Sequence, residues 1–241
     1  MADEPTTPDL AARVASVKAR IRAAESDSGR FGAGVRLLVA TKTADADAAC
    51  AAVRAGARLV GESRMQELDA KGAALRTAGA KIHVIGQLQR NKASVAVQRA
   101  DCVQTVDSLR LAERLSRLCV EAERKLDVMI QVNVSGESSK AGVDPEEALA
   151  LAAAVQNLPA LAVIGFMTIG LNSPDESAVR AGYARLRGLR DEALVKSESG
   201  GLPLKDAWEL SMGMSGDLEW AIAEGATIVR VGTAIMGHRR D

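Results

Sequence analysis

The segments Asp127-Val-Met-Ile-Gln-Val-Asn-Val134 and Leu161-Ala-Val-Ile-Gly-Phe-Met-Thr168, separated by the helical stretch Pro145–Gln156, decide the architecture. Both flanking runs are nearly continuous in Val, Ile, Leu and Met instead of alternating with polar residues. A strand covered on both faces has this pattern, because neither face is left to water. Strand, helix and strand in succession form the repeating unit of a parallel sheet.

The same alternation continues outward. Towards the N-terminus lie candidate strands at Arg36–Thr41, Arg58–Gly61, Lys81–Gly86 and Cys102–Val106, and towards the C-terminus at Trp208–Ser211 and Thr227–Val231. Helical patterns occupy Asp45–Ala55, Ser63–Ala78, Asn91–Arg99, Leu109–Arg124, Pro174–Val195 and Leu218–Glu224. Eight such strands, each followed by a helix, predict a closed α/β barrel of the (β/α)8 TIM type over an open doubly wound sheet. Ahead of them, Asp9 to Ser28 reads as an extra helix with Leu10, Val14, Val17 and Ile21 on one face. Asp27–Gly34 is a glycine-rich connector, and Lys196–Lys205 reads as a surface loop. Residues 1–8 read as a disordered tail and 9–241 as one domain, with no domain linker.

Composition narrows the function. Hydrophobic residues make up 47% of the 241 residues, enough for a sizeable core, while aromatics make up only 2%. The chain therefore lacks stacking platforms for single-stranded nucleic acid. Lys plus Arg and Asp plus Glu each number 31, so no net positive charge is available for a phosphate backbone. Cys50, Cys102 and Cys119 form no CxxC pair and have no histidine at zinc-ligand spacing, which predicts buried, reduced thiols and no metal. No apolar run reaches membrane-spanning length and no signal region opens the chain, so a cytoplasmic location is expected. Charged outer helix faces suggest a monomer.

In a barrel of this type, chemistry collects where strands end and βα-loops begin. The first strand runs into Val39-Ala-Thr-Lys-Thr43, which leaves Lys42 just beyond an apolar run. Such a lysine either snorkels into water or, if desolvated, serves as an amine nucleophile towards a carbonyl. The seventh strand ends in Leu210-Ser-Met-Gly-Met-Ser215 and the eighth in Ile228-Val-Arg-Val-Gly-Thr-Ala234. These are the loops where barrels of this type commonly bind phosphate. Ser211, Ser215 and Thr233 offer hydroxyls and Gly232 permits close backbone approach. Ser215 would also suit the N-cap of the following helix, and Asp217 is expected to face solvent, away from a phosphate. Arg230 should point into the barrel, where a guanidinium against a pyridine nitrogen would keep that nitrogen unprotonated. A lysine facing a phosphate site fits either a Schiff-base aldolase or a pyridoxal phosphate protein.

The chain resembles the pyridoxal phosphate homeostasis proteins, which are related in fold to the N-terminal barrel of alanine racemase. The motifs that carry the resemblance run in order from Leu37 to Gly237. They are Leu38-Val-Ala-Thr-Lys-Thr43, Gly61-Glu-Ser-Arg-Met-Gln-Glu67, His83-Val-Ile-Gly-Gln-Leu-Gln-Arg-Asn-Lys92, Gln131-Val-Asn-Val134 with Ser139-Lys-Ala-Gly142, Gly165-Phe-Met-Thr168, Leu210-Ser-Met-Gly-Met-Ser-Gly-Asp217 and Val229-Arg-Val-Gly-Thr-Ala-Ile-Met-Gly237. The resemblance implies pyridoxal 5′-phosphate as cofactor, held as a Schiff base on Lys42. It further implies phosphate contacts from Ser211, Ser215, Gly232 and Thr233, with Met212 in the same motif, and Arg230 against the pyridine nitrogen. Glu62 and Ser63 are expected to line the same mouth. Ser63 departs from the family's usual Gly-Glu-Asn. His83, Asn91 and Lys92 belong to a motif without an assigned role.

A racemase of this cofactor needs acid–base groups on both faces of the substrate carbanion. The one tyrosine, Tyr183, reads as lying mid-helix and far from the strand ends, and the chain ends shortly after Thr233. The expected role is therefore a cofactor carrier or buffer, with pyridoxal phosphate-dependent apo-enzymes as partners. An amino-acid racemase is the alternative.

Overall fold

The computed structural model describes residues 7–42, 44–137 and 140–237. The strands are β1 (Arg36–Ala40), β2 (Leu59–Glu62), β3 (Lys81–Val84), β4 (Cys102–Val106), β5 (Leu126–Gln131), β6 (Leu161–Met167), β7 (Glu209–Ser211) and β8 (Ile228–Val231). The helices are α1 (Thr7–Asp27), α2 (Ala46–Arg54), α3 (Met65–Thr77), α4 (Ala93–Arg99), α5 (Leu109–Glu121), α6 (Pro145–Gln156), α7 (Glu176–Glu198), α8 (Leu218–Ala223) and α9 (Thr233–Met236). All neighbouring strands are parallel, and β8 pairs back onto β1 to close the barrel. Closure leaves no sheet edge.

Local chemistry sets the element ends. Asp45 accepts from the Ala48 amide to cap α2, and Asp175 does the same for α7 through Ala178. Pro145 sits in the first turn of α6, where its missing N–H costs nothing. On α5, Leu111, Leu115 and Cys119 recur every four residues and are buried, while Glu113 and Arg117 face water.

The main core lies between strands and helices, where Val39, Val60, Ile82, Val103, Val128, Val163 and Val229 meet the apolar helix faces. Inside the barrel, Leu38, Leu59 and Ile228 form one small apolar group and Cys102, Met129 and Met167 another. All three cysteines are free and buried. Among the described residues no helix is long and apolar enough to cross a membrane, and no group of three acidic, His or Cys side chains could hold a metal.

One irregularity in the sheet is informative. Val128 pairs with Val163, but Met129 pairs with Gly165, so Ile164 is an extra residue in β6. A one-residue bulge resets which face each following side chain takes. Phe166 consequently packs outward in the main core and Met167 inward. Gly165 has φ +156°, and a Cβ there would run into the Glu209 carbonyl of β7.

Several sequence boundaries move. The predicted stretch Asn91–Arg99 opens with a 3-10 turn at Arg90–Lys92 before α4. Helix α7 continues to Glu198, three residues into the predicted 196–205 loop, before the chain reverses at Gly200 with φ +76°. Helix α1 begins at Thr7, inside the stretch read as a tail; residues 1–6 lie outside the described residues, as do Thr43 and Ser139 of the motifs. Helix α9 was not expected at all.

Candidate cofactor-binding site

β1 ends at Ala40 and passes into a turn closed by the Ala44 amide on the Thr41 carbonyl at 3.2 Å. Leu38 faces the barrel interior, and the two-residue period of the strand carries the same side to Ala40, two residues before Lys42. Lys42 is exposed at this C-terminal end. β8 lies in register alongside, with Leu38 opposite Arg230 and Val39 opposite Val231. Gly232 therefore adjoins Ala40, and a Cβ on that glycine would stand 3.4 Å from the Ala40 Cβ. Thr233 follows at once and opens α9.

The loop after β7 reaches the same place. Gly213, at φ +87°, turns the chain where a side chain would collide with Ala221 of α8. Thr233 Oγ1 donates to Ser215 Oγ at 3.3 Å, so the loops after β7 and β8 bring their hydroxyls together. Helix α1 braces both from outside. Arg20 donates to the Ser215 carbonyl at 3.2 Å and pairs with Glu219, and Arg13 donates to the Ile235 carbonyl at 3.3 Å.

Asp217, not Ser215, occupies the N-cap position of α8. Its carboxylate accepts from the Met214 amide at 2.6 Å and from the Tyr183 hydroxyl at 2.7 Å. It is half-buried and turned into the fold instead of facing solvent, which corrects the expectation for it. Tyr183 is likewise not remote from the strand ends. It lies fully buried under the loops after β6 and β7, and a Cβ on Gly170 would stand 2.9 Å from its hydroxyl. Burial and the Asp217 charge push its phenol well above the ordinary range.

Below the mouth, the barrel interior carries a chain of hydrogen bonds whose directions can be deduced. Arg230 can only donate, and does so to Ser211 Oγ at 2.9 Å and to the Thr168 carbonyl at 2.7 Å. The Ser211 proton is then free to reach Gln104 Oε1 at 2.7 Å. That orients the Gln104 amide, whose Nε2 donates to His83 Nδ1 at 2.8 Å. His83 must accept at Nδ1 and carry its proton on Nε2. Burial agrees, holding the His83 imidazole down at about 3 and so neutral. Burial also lowers Arg230, to about 10.

Of the predicted site residues, Lys42, Ser215, Gly232 and Thr233 gather at one end, with Arg230 beneath them. Four others sit elsewhere. Ser211 is fully buried and engaged by Arg230 and Gln104, so its hydroxyl supports the arginine instead of facing the mouth. Met212 packs into the core behind the sheet. Glu62 also points behind the sheet, fully buried against Thr41 and Lys71. Desolvation raises its carboxyl, against the opposing pull of Lys71 and Thr41. Ser63, Gln87, Gln89 and Lys92 line a separate cavity of about 540 Å³ beside the loops after β2 and β3, and Asn91 lies in another, lined by four arginines.

Sequence reasoning missed Gln104, Thr168 and Lys71. Gln104 had a signal, being an amide side chain at the centre of the buried strand Cys102–Val106. Replacing it by Leu should cost about 2–3 kcal/mol, because His83 and Ser211 each lose a buried partner. Thermal unfolding should then shift down by about 4–12 °C for a domain of this size, and an unchanged midpoint would remove Gln104 from the account.

The alanine racemase N-terminal domain family matches residues 14–240. A pyridoxal phosphate homeostasis protein of Pseudomonas aeruginosa is 42% identical over 230 residues, 95% of this chain and 96% of that one. The chain belongs to the pyridoxal phosphate homeostasis protein family. The Escherichia coli member is 38% identical over 96% of this chain and 97% of its own. Among solved structures, an unknown protein from Bifidobacterium adolescentis superposes with TM-score 0.90 at 42% identity, covering 98% of this chain and 97% of that one. PipY of Synechococcus elongatus, solved with pyridoxal phosphate bound, gives TM-score 0.80 at 34% identity over 95% of this chain and 100% of its own. An alanine racemase from Clostridium difficile shares the fold at 16% identity, with TM-score 0.68.

Proposed function

We propose that this chain binds pyridoxal 5′-phosphate covalently on Lys42 and acts in its homeostasis as a carrier or buffer. The observation that carries the reading is the convergence of Lys42, the Ser215–Thr233 hydroxyl pair and Gly232 at one barrel end, above the buried Arg230. These residues fit the cofactor. A phosphate needs donors and no opposing carboxylate, and the Asp217 carboxylate is already turned onto Met214 and Tyr183. The cofactor supplies an aldehyde, which condenses with a primary amine and releases water. Ser215, Thr233 and the backbone at Gly232 would hold the phosphate, and Arg230 would serve the ring nitrogen as a donor that does not release its proton.

Tyr183, bound to Asp217 and buried, is poorly placed to move a proton at the mouth. This supports holding the cofactor over turning over amino acids. A cytoplasmic monomer that passes the cofactor to apo-enzymes is consistent with this reading. Purified protein mixed with pyridoxal phosphate should turn yellow. Borohydride reduction followed by peptide mass mapping should then mark Lys42. Protein that is colourless after removal of free cofactor by gel filtration, with no marked peptide, refutes the reading. Incubation of the loaded protein with single L-amino acids in heavy water tests the racemase alternative, which requires deuterium at the α-carbon.

A further inference from the structure

Lys71 is an unusual residue to find 5% exposed on the inner face of α3, between Leu68 and Leu75. Its ammonium donates to the Thr41 carbonyl at 2.9 Å and to the Ala44 carbonyl at 3.0 Å. It also pairs with Glu62 Oε1 at 2.9 Å and with Glu67 at 3.3 Å. The Thr41 hydroxyl donates to the same Glu62 oxygen. The two carbonyls that Lys71 holds are those that bracket Lys42 in the turn after β1.

A buried ammonium is costly, and a hydrophobic residue on this face of α3 would avoid that cost. What the charge achieves here is specific, because an aliphatic side chain cannot tie two carbonyls of a turn that β1 no longer supports. Glu62 supplies the compensating charge but leaves its second oxygen, Oε2, buried without a partner. That is an arrangement with a net polar cost, concentrated directly beneath one turn.

We propose that Lys71 is a positioning residue that clamps the Thr41–Ala44 turn and so presents the Lys42 amine to the barrel mouth, with Glu62 as its counter-charge. This rests on the reading of Lys42 as the cofactor-bearing amine, and reassigns Glu62 from the mouth to the support beneath it. A loosened turn spreads the amine over many orientations, and small misplacements of a reacting group cost one to two orders of magnitude in rate.

The test uses three full-length variants: Lys71→Met, Lys71→Arg and the double variant Lys71→Met/Glu62→Gln. Two readouts are taken on each: hydrogen exchange of peptides spanning 40–46 without cofactor, and the rate of borohydride-trappable loading of Lys42 by pyridoxal phosphate. In Lys71→Met the turn should exchange about tenfold faster or more, and loading should slow by about tenfold or more. Lys71→Arg, which can still donate to both carbonyls, should recover part of each effect. The double variant removes both charges. It should regain thermal stability yet keep the fast exchange and slow loading, because the carbonyls still lack their donor. Full recovery of both readouts in the double variant would make Lys71 only a partner for Glu62 and overturn the clamp. Unchanged exchange in Lys71→Met overturns it too. If Lys71→Met does not fold, the charge-neutral double variant carries the same comparison. Exchange is read without cofactor, so absence of loading in the wild type would defeat the Lys42 reading while leaving the clamp separately decided.

Discussion

Lys42→Ala is expected to abolish covalent loading completely while leaving the fold intact. Lys42 is exposed and lies beyond the end of β1, and the contacts of an exposed lysine contribute on the order of 0.5 kcal/mol, so its loss should change stability by about that much. For a domain of this size that is about 1–2 °C in the unfolding midpoint. The chemistry is all-or-none, because the link needs a primary amine at that position and serine or threonine hydroxyls nearby do not replace it. After removal of free pyridoxal phosphate by gel filtration the variant should be colourless, and reduction should add no mass to the peptide spanning 36–54. The proposed phosphate residues Ser215, Gly232 and Thr233 are untouched, so weak reversible binding should persist and be visible calorimetrically. Retention of a reducible adduct at wild-type stoichiometry would move the amine role to another lysine.

The largest effect on stability is expected from one added methyl group, in Gly165→Ala. The bulge in β6 places Gly165 at φ +156°, a region that L-residues with a side chain rarely adopt. The new Cβ would meet the Glu209 carbonyl of β7, and a β-strand backbone cannot yield as a flexible side chain could. Relief requires opening the β6–β7 pairing, where Gly165 faces Glu209 and Phe166 faces Leu210. A cost above about 4 kcal/mol follows, or a midpoint lowered by about 8–16 °C. Gly188→Ala is the matching control. Gly188 lies in α7 with nothing near its would-be Cβ, so the same methyl should stabilise by about 0.4–1 kcal/mol. If both substitutions shifted the midpoint alike, the bulge geometry would not be the cause.

The barrel was largely legible in the sequence, because strands buried on both faces and amphipathic helices leave distinct periods. Cys102–Val106 and Pro145–Gln156 were placed to the residue. The site was legible only in part, for a reason visible at Glu62 and Met212. A motif such as Gly61-Glu62 or Ser211-Met212 is contiguous in sequence, but successive residues of a strand point to opposite faces. Only every second motif residue can therefore reach the barrel interior. Ser211 has the right parity but the wrong depth, which depends on Arg230 and Gln104 reaching it from other strands. Lys71 occupied an apolar helical position between Leu68 and Leu75, a pattern that marks an anomaly without naming its partners. Tyr183 was misjudged because a helix position gives no measure of how deep a long side chain reaches.

The closing of β8 on β1, with α1 bracing the loops after β7 and β8, has a consequence for how the protein comes into being. The amine of Lys42 is synthesised early, yet the groups that would grip a phosphate lie on the loops after the last two strands. A growing chain exposes Lys42 and part of a sheet with open edges, but no site. If these residues form the site, cofactor capture waits until the segment from Ile228 onward has emerged and zipped against Arg36–Val39. On the proposed reading, loading is therefore an event in the life of a finished protein and not a step in its synthesis.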